Sequence, residues 1–96
     1  MEVSVVRKAL HPDSMYIGRG SHLGNPFVMD AKHTRDMVCD DYEEWFKMHK
    51  DDAKVKQQLG TLLARLKTTG SVKLGCYCAP QRCHGDTIKR WLEENV

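Results

Sequence analysis

The sequence lacks any long hydrophobic run and carries little excess charge of either sign. Glu2, Arg7 and Lys8 interrupt the apolar residues near the N-terminus, so neither a secretory signal peptide nor a membrane-spanning helix is predicted. Fifteen lysines and arginines against thirteen aspartates and glutamates leave a formal net charge of +2, which argues against a protein that coats nucleic acid. We therefore expect a cytoplasmic protein with no membrane partner.

The sequence also lacks internal repeats and low-complexity segments, and its 96 residues leave room for one small core. Hydrophobic residues make up 41% of the chain and charged residues 29%. This usage is typical of a globular protein and differs from that of a disordered chain. A single domain over residues 1–96 is expected, and a large multidomain enzyme is excluded.

The spacing of apolar residues predicts an α/β domain. Alternating residues predict short strands at Val3–Val5 and Met15–Ile17, and a further strand over residues 71–78. Two amphipathic helices are predicted between the strands, one capped by Thr34 and the next by Asp52, and a third helix follows the last strand. Strands that alternate with helices favour parallel pairing. The expected fold is a short, partly parallel sheet of about three to four strands packed with three helices.

Three of the four cysteines, Cys76, Cys78 and Cys83, fall within eight residues, between the last strand and a helix predicted to begin near Cys83. In a reducing compartment such a cluster is more often a metal site, a reactive site or simple packing than a disulfide framework. Helix starts that follow strands are also where α/β proteins bind anions, because unpaired N–H groups and the helix dipole favour negative charge. Three interpretations of the cluster are therefore open.

The catalytic interpretation uses the residues at the predicted helix start. The helix dipole would stabilise a thiolate at Cys83, and His84 or Asp86 would assist proton transfer. The anion-wrapping loop of cysteine phosphatases is rejected, because that loop needs arginine six residues after the cysteine. Here Lys89 stands at that position and Arg90 one residue later.

The metal interpretation assigns zinc to four side chains, Cys76, Cys78, Cys83 and His84. Their spacing is not typical, because structural zinc sites usually use C-x2-C pairs and adjacent helical residues point about 100° apart. No cofactor other than this alternative zinc is predicted. The packing interpretation makes Cys76 and Cys78 buried residues on one face of a strand, and Cys39 a buried residue of the first helix.

A glycine-rich segment follows the second predicted strand. Its glycines would let backbone amides approach a ligand, and its arginine, hydroxyl and amide side chains suit a phosphate. The segment matches neither the dinucleotide fingerprint nor the P-loop, because Pro26 and Phe27 intervene and no lysine is correctly placed. A tight structural loop is the alternative. The candidate ligand-binding residues of this segment are Gly18, Arg19, Gly20, Ser21, Gly24 and Asn25.

Two motifs, YIGRGSHLGNPF and LGCYCAPQRCHGD, occur in this order, with Arg35, Tyr42 and Trp45 on the helical segment between them. Together they resemble an uncharacterised family of small bacterial and phage proteins, a domain of unknown function. The resemblance covers nearly the whole chain, and it adds Arg35 to the motif positions. Gly20 departs from the family pattern, because proline is expected there in many relatives. The resemblance implies family membership and no particular activity.

Because both motifs follow strands, we expect them to face each other across one cleft. Arg19 and Arg35 would hold a phosphate there, while Cys83, His84 and Asp86 would line the reacting end. The predicted function is binding of a nucleotide-like or other phosphate-bearing molecule, or of a nucleic-acid end, with catalysis left open. The alternatives are a zinc-stabilised interaction module without catalysis and a phage protein that binds a host protein in the host cytoplasm.

Overall fold

The alternating apolar residues form a parallel sheet of three strands. In the computed structural model, which describes residues 1–96, these strands are β1 (Glu2–Arg7), β2 (Met15–Tyr16) and β3 (Ser71–Cys76). The strand order is β1-β3-β2, and both pairings are parallel. The carboxyl ends of all three strands therefore meet at one edge of the sheet, and the predicted α/β class is confirmed.

Three α-helices and one short 3₁₀ turn complete the fold. The helices are α1 (Arg35–His49), α2 (Ala53–Thr69) and α3 (Gly85–Asn95). Thr34 caps α1 as predicted, because its hydroxyl accepts a hydrogen bond from the backbone N–H of Met37. Asp52 occupies the N-cap position of α2 but makes no capping bond, since its carboxylate accepts a hydrogen bond from His49 Nδ1 instead.

The core lies between the sheet and the helices. Leu59, Leu62 and Leu66 recur on one face of α2 and are buried, as are Ile88 and Leu92 of α3. Helix α2 packs against β3, and helix α3 packs against β1. Burial of these apolar faces supplies the main stabilisation of the fold. No helix is long or apolar enough to span a lipid bilayer.

Two predicted boundaries around the cysteine cluster are wrong. The strand β3 ends at Cys76 rather than at residue 78, and α3 begins at Gly85 rather than near Cys83. The strand ends early because its neighbour β1 ends at Arg7, the residue that pairs with Cys76, and residues beyond it have no partner in the sheet. Residues 77–84 therefore form a loop, and Cys78 does not share a strand face with Cys76.

The chain between β1 and β2 crosses the face of β3. It passes over Gly75, where an added Cβ would collide with Ser14 and would lie 3.0 Å from Lys8 Cδ. The side chain of Lys8 donates a hydrogen bond to the carbonyl of Pro12 at 2.8 Å, and Ser14 Oγ donates to the carbonyl of His11 at 2.6 Å. A glycine in β3 thus allows the short crossover that puts β2 on the far side of β3.

Candidate functional site

A cleft of about 250 Å³ opens at the carboxyl edge of the sheet. Tyr16 and Cys76, the last residues of β2 and β3, both line it. Because these strands are neighbours, the segments that follow them meet in space although they are far apart in sequence. The predicted site residues that the structure brings to this cleft are Gly18, Arg19, Asn25, Arg35, Cys83 and His84.

Other predicted site residues shape the surrounding loops without lining the cleft. Ser21 Oγ donates a hydrogen bond to the carbonyl of Gly18 at 2.8 Å, which tightens the glycine-rich loop. The carboxylate of Asp86 is exposed and accepts a hydrogen bond from the backbone N–H of Cys83 at 3.3 Å. The predicted site residues that do not line the cleft are Gly20, Ser21, Gly24 and Asp86.

Three arginines line the cleft, and they differ in their partners. Arg82 is paired with Asp36 at 3.1 Å and Asp40 at 2.8 Å, and these hydrogen bonds raise its pKa further. Arg35 makes one hydrogen bond, from Nη1 to the carbonyl of Arg82 at 3.3 Å. Arg19 is exposed, and its guanidinium has no partner in the chain. Two guanidinium groups without a carboxylate are therefore available to an anion in the cleft.

A pair of thiols forms part of the cleft wall. The sulfurs of Cys76 and Cys83 lie 3.3 Å apart, and the two residues are only 1% and 4% exposed. Contact with the Cys83 thiol, together with the backbone N–H groups of Cys78 and Ala79, lowers the pKa of Cys76. The N–H of Gly85 donates to Cys83 Sγ at 3.3 Å. These contacts favour a thiolate within the pair.

Cys83, the predicted nucleophile, lies directly before His84 and the start of α3. Contact with Cys76 and burial raise the pKa of Cys83. The structure adds Cys76 to the candidate nucleophiles, because its sulfur lies against that of Cys83.

The remaining two cysteines also border the cleft. Cys78 is half-buried in the loop after β3, and Cys39 is buried on α1, where burial raises its pKa. The interpretation of Cys78 as a buried strand residue is therefore wrong. Cys39 packs in the interior as predicted, but it also forms part of the cleft wall, which the sequence did not indicate because α1 has no motif at that position.

His84 is buried and held in one orientation. Its Nε2 lies 2.6 Å from the carbonyl oxygen of Ile17, and since a carbonyl only accepts, Nε2 carries the hydrogen and donates. Burial lowers the pKa of His84, so the ring is neutral at pH 7. The edge of the ring also packs against Tyr42, with ring centroids 5.0 Å apart. In this tautomer Nδ1 is the acceptor that His84 can offer to a ligand in the cleft.

The four residues of the zinc alternative are not assembled as ligands. No three histidine, cysteine, aspartate or glutamate side chains are grouped so that they could hold a metal ion. Nε2 of His84 is engaged by the carbonyl of Ile17, and the sulfur of Cys76 lies against that of Cys83. The arrangement therefore offers no tetrahedral ligand set of the kind that structural zinc requires.

One wall of the cleft is apolar and partly aromatic, a feature that the sequence prediction missed. Tyr77 is 66% exposed and meets Tyr16 edge to face, with ring centroids 5.9 Å apart. Phe27 and Met29 extend this wall from the glycine-rich loop and are also exposed. Exposed aromatic rings beside unpaired arginines suit a ligand that has both a flat ring and a charged group.

Comparison with known proteins identifies a family and no relative of known activity. No curated protein and no solved structure matches the chain. The family model for DUF4326 matches residues 3–94, a range that includes every residue lining the cleft. The chain therefore belongs to DUF4326, a domain of unknown function.

Proposed function

We propose that the cleft binds a small, nucleotide-like molecule that carries a phosphate. The observation that carries this proposal is that Arg19 and Arg35 line one cleft and have no carboxylate partner. Guanidinium groups bind phosphate through paired hydrogen bonds, so two of them without a carboxylate in one cleft suit a phosphate. By contrast, Arg82 lines the same cleft but is paired with Asp36 and Asp40.

The other walls favour a nucleotide over a bare anion. Tyr77 and Phe27 expose aromatic surface on which a base can stack, an interaction worth about 1–3 kcal/mol per base. The volume of about 250 Å³ lies below the usual range for drug-sized ligands. A mononucleotide or a related small metabolite therefore fits the cleft better than a dinucleotide cofactor does.

The thiol pair and His84 supply the groups that a reaction of this ligand would use. A thiolate on Cys76 is a nucleophile, and the neutral ring of His84 accepts a proton or a hydrogen bond. All four cysteines are free, which suits a reducing compartment such as the cytoplasm. The proposal itself concerns binding. Cys76, Cys83 and His84 are the residues to substitute first in a search for catalytic activity.

An NMR titration tests the proposal. Amide resonances are followed while mononucleotides, inorganic phosphate or a short 5′-phosphorylated oligonucleotide are added to millimolar concentration. We expect a mononucleotide to shift the amides of residues 18–27 and 83–86. Arg19→Gln and Arg35→Gln should each weaken binding about tenfold, because each removes a charge-assisted hydrogen bond. Arg90→Gln is the matched control, since Arg90 is exposed on α3 and pairs with Glu43 outside the cleft.

The outcomes separate the parts of the proposal. If no added molecule shifts these amides, the cleft is not a phosphate site and the proposal is wrong. If inorganic phosphate binds as tightly as every nucleotide, the aromatic wall takes no part in binding. An oligonucleotide that binds more tightly than any mononucleotide would identify a nucleic-acid end as the ligand. If Arg90→Gln weakens binding as much as Arg19→Gln and Arg35→Gln do, the added molecule is attracted by the positive charge of the whole protein and not by this cleft.

A further inference from the structure

The contact between Cys76 and Cys83 lies in the same cleft as Arg19 and Arg35, but it takes no part in holding the proposed phosphate. The two residues are seven positions apart and come from different segments, the end of β3 and the loop before α3. Their sulfurs nevertheless lie 3.3 Å apart, and each also meets backbone N–H groups. A disulfide bond is about 2.05 Å long, so the sulfurs need to approach by only about 1.3 Å to form one.

Both sulfurs can be reached through the cleft. Cys76 and Cys83 are almost fully buried by the protein, but both line the cleft. A small reactant can therefore contact them from the cleft. A molecule of the size of hydrogen peroxide fits this requirement.

We propose that Cys76 and Cys83 form a redox-active dithiol that reduces a small hydroperoxide and closes into an intramolecular disulfide. Cys76 is the attacking thiol, because the backbone N–H groups of Cys78 and Ala79 favour its thiolate and a second thiol lies 3.3 Å from its sulfur. Cys83 is the resolving thiol, because its sulfur is the nearest partner. The dithiol shares the cleft with Arg19 and Arg35, but its oxidation does not depend on nucleotide binding.

The chemistry balances in two steps. The Cys76 thiolate attacks the terminal oxygen of the hydroperoxide, so that an S–O bond forms, the O–O bond breaks, and the leaving alkoxide or hydroxide takes a proton from solvent. Sulfur is oxidised to sulfenic acid, and the peroxide is reduced to an alcohol or water. Cys83 then attacks the sulfenic sulfur, an S–S bond forms, and the hydroxyl group leaves with the Cys83 proton as water. One hydroperoxide thus consumes two thiols and gives one disulfide.

Cys78 provides a sharp internal comparison. It is more exposed than Cys76 and lines the same cleft, so oxidation governed by exposure alone would begin there. Oxidation governed by thiolate character and a nearby resolving thiol would begin at Cys76. Oxidation is not expected to begin at Cys39, because burial raises its pKa and so disfavours the thiolate.

The experiment treats the reduced, full-length protein with one equivalent of hydrogen peroxide, blocks the remaining thiols and maps the peptides by mass spectrometry. We expect a Cys76–Cys83 linked peptide that dithiothreitol reverses. Cys83→Ser should leave a sulfenic acid at Cys76 that dimedone traps. Cys76→Ser should slow peroxide consumption about tenfold or more. Cys39→Ser and Cys78→Ser are matched controls that should still form the disulfide.

The wild-type peptide map decides the result even if a variant does not fold. A principal link that involves Cys78, or first oxidation at Cys78, would overturn the proposal in favour of exposure. Absence of any disulfide after one equivalent of peroxide would overturn it as well. Neither result would affect the phosphate proposal, which the nucleotide titration tests separately.

Discussion

At the scale of single residues, the glycine-rich loop is held together by contacts of its own backbone. An added Cβ at Gly24 would lie 2.6 Å from the carbonyl oxygen of Gly18 and 3.2 Å from Cα of Arg19. Ser21 Oγ donates to the same carbonyl, so the loop closes on itself over seven residues. Arg19 lies inside this closed segment and takes its position from it.

Gly24→Ala should therefore destabilise the protein by about 1–3 kcal/mol, because backbone atoms and not a flexible side chain must move to admit the methyl group. Gly60→Ala is the matched control. Gly60 lies in α2 with open space around it, so alanine should stabilise the helix by about 0.5–1 kcal/mol. Chemical denaturation measures both changes. A neutral Gly24→Ala would show that the loop relaxes freely and does not hold Arg19 in place.

At the scale of elements, α1 and α2 both begin after a typical N-cap residue, but only α1 has a capping hydrogen bond in the structure. Thr34 and Asp52 both occupy N-cap positions with extended backbone conformations. Only Thr34 makes the capping bond, at 3.2 Å to the N–H of Met37, while Asp52 binds His49 Nδ1 at 2.7 Å. The difference matters for the cleft, because α1 carries Arg35 and Cys39 into its wall.

Thr34→Ala should cost about 1 kcal/mol of stability, the usual value for a lost N-cap hydrogen bond. Asp52→Ala should cost less, because no capping bond is removed and the lost contact with His49 is exposed. Denaturant titrations of the two variants compare the losses directly. An equal or larger loss for Asp52→Ala would mean that the Asp52 carboxylate caps α2 in solution.

The boundaries of elements show what local patterns predict. The helices α1 and α2 are confirmed because apolar residues that recur every three or four positions define a helix face within a single segment. The predicted end of β3 was wrong, because a strand ends where its partner strand ends. The partner, β1, is remote from β3 in sequence, so local patterns do not reveal this end. This error hid Tyr77 and Cys78, which the early end of β3 places in the loop beside the cleft.

At the scale of the whole molecule, the order β1-β3-β2 brings together two motifs that are remote in sequence. The hydrogen bond from His84 Nε2 to the carbonyl of Ile17 spans 67 positions and ties the start of α3 to the segment after β2. The sequence predicted both motifs and the possibility that they share a cleft. Of the side chains expected there, Arg19, Arg35, Cys83 and His84 line the cleft and Asp86 does not. The binding roles of Arg19 and Arg35 stay predictions.

The buried His84 should make stability depend on pH. Burial lowers the pKa of His84 in the folded protein. The unfolded chain has an ordinary histidine pKa of about 6.5, so as the pH falls it binds a proton at a higher pH than the folded protein does. Stability should therefore fall as the pH falls through about 6.5, the ordinary pKa of the unfolded chain's histidine. His84→Gln retains an N–H for Ile17 but does not titrate, so its stability should fall less steeply.

Denaturant unfolding at several pH values measures this slope. The lowered pKa of Cys76 and the raised pKa of Cys83 add dependences on pH of opposite sign. The difference between wild type and His84→Gln isolates the histidine. His22→Gln is the control, because His22 is exposed in the glycine-rich loop. Identical slopes in wild type and His84→Gln would contradict the prediction.

The sequence by itself determined the α/β class, the faces of α1 and α2, and the two motifs that mark the family, because each is written in residues close together along the chain. Only the tertiary structure decided that Arg82 is paired while Arg19 and Arg35 are free. Only it brought the sulfurs of Cys76 and Cys83 within 3.3 Å of each other. The physical reason is that charge pairing and pKa depend on distances of a few ångströms between atoms that the chain brings together only on folding.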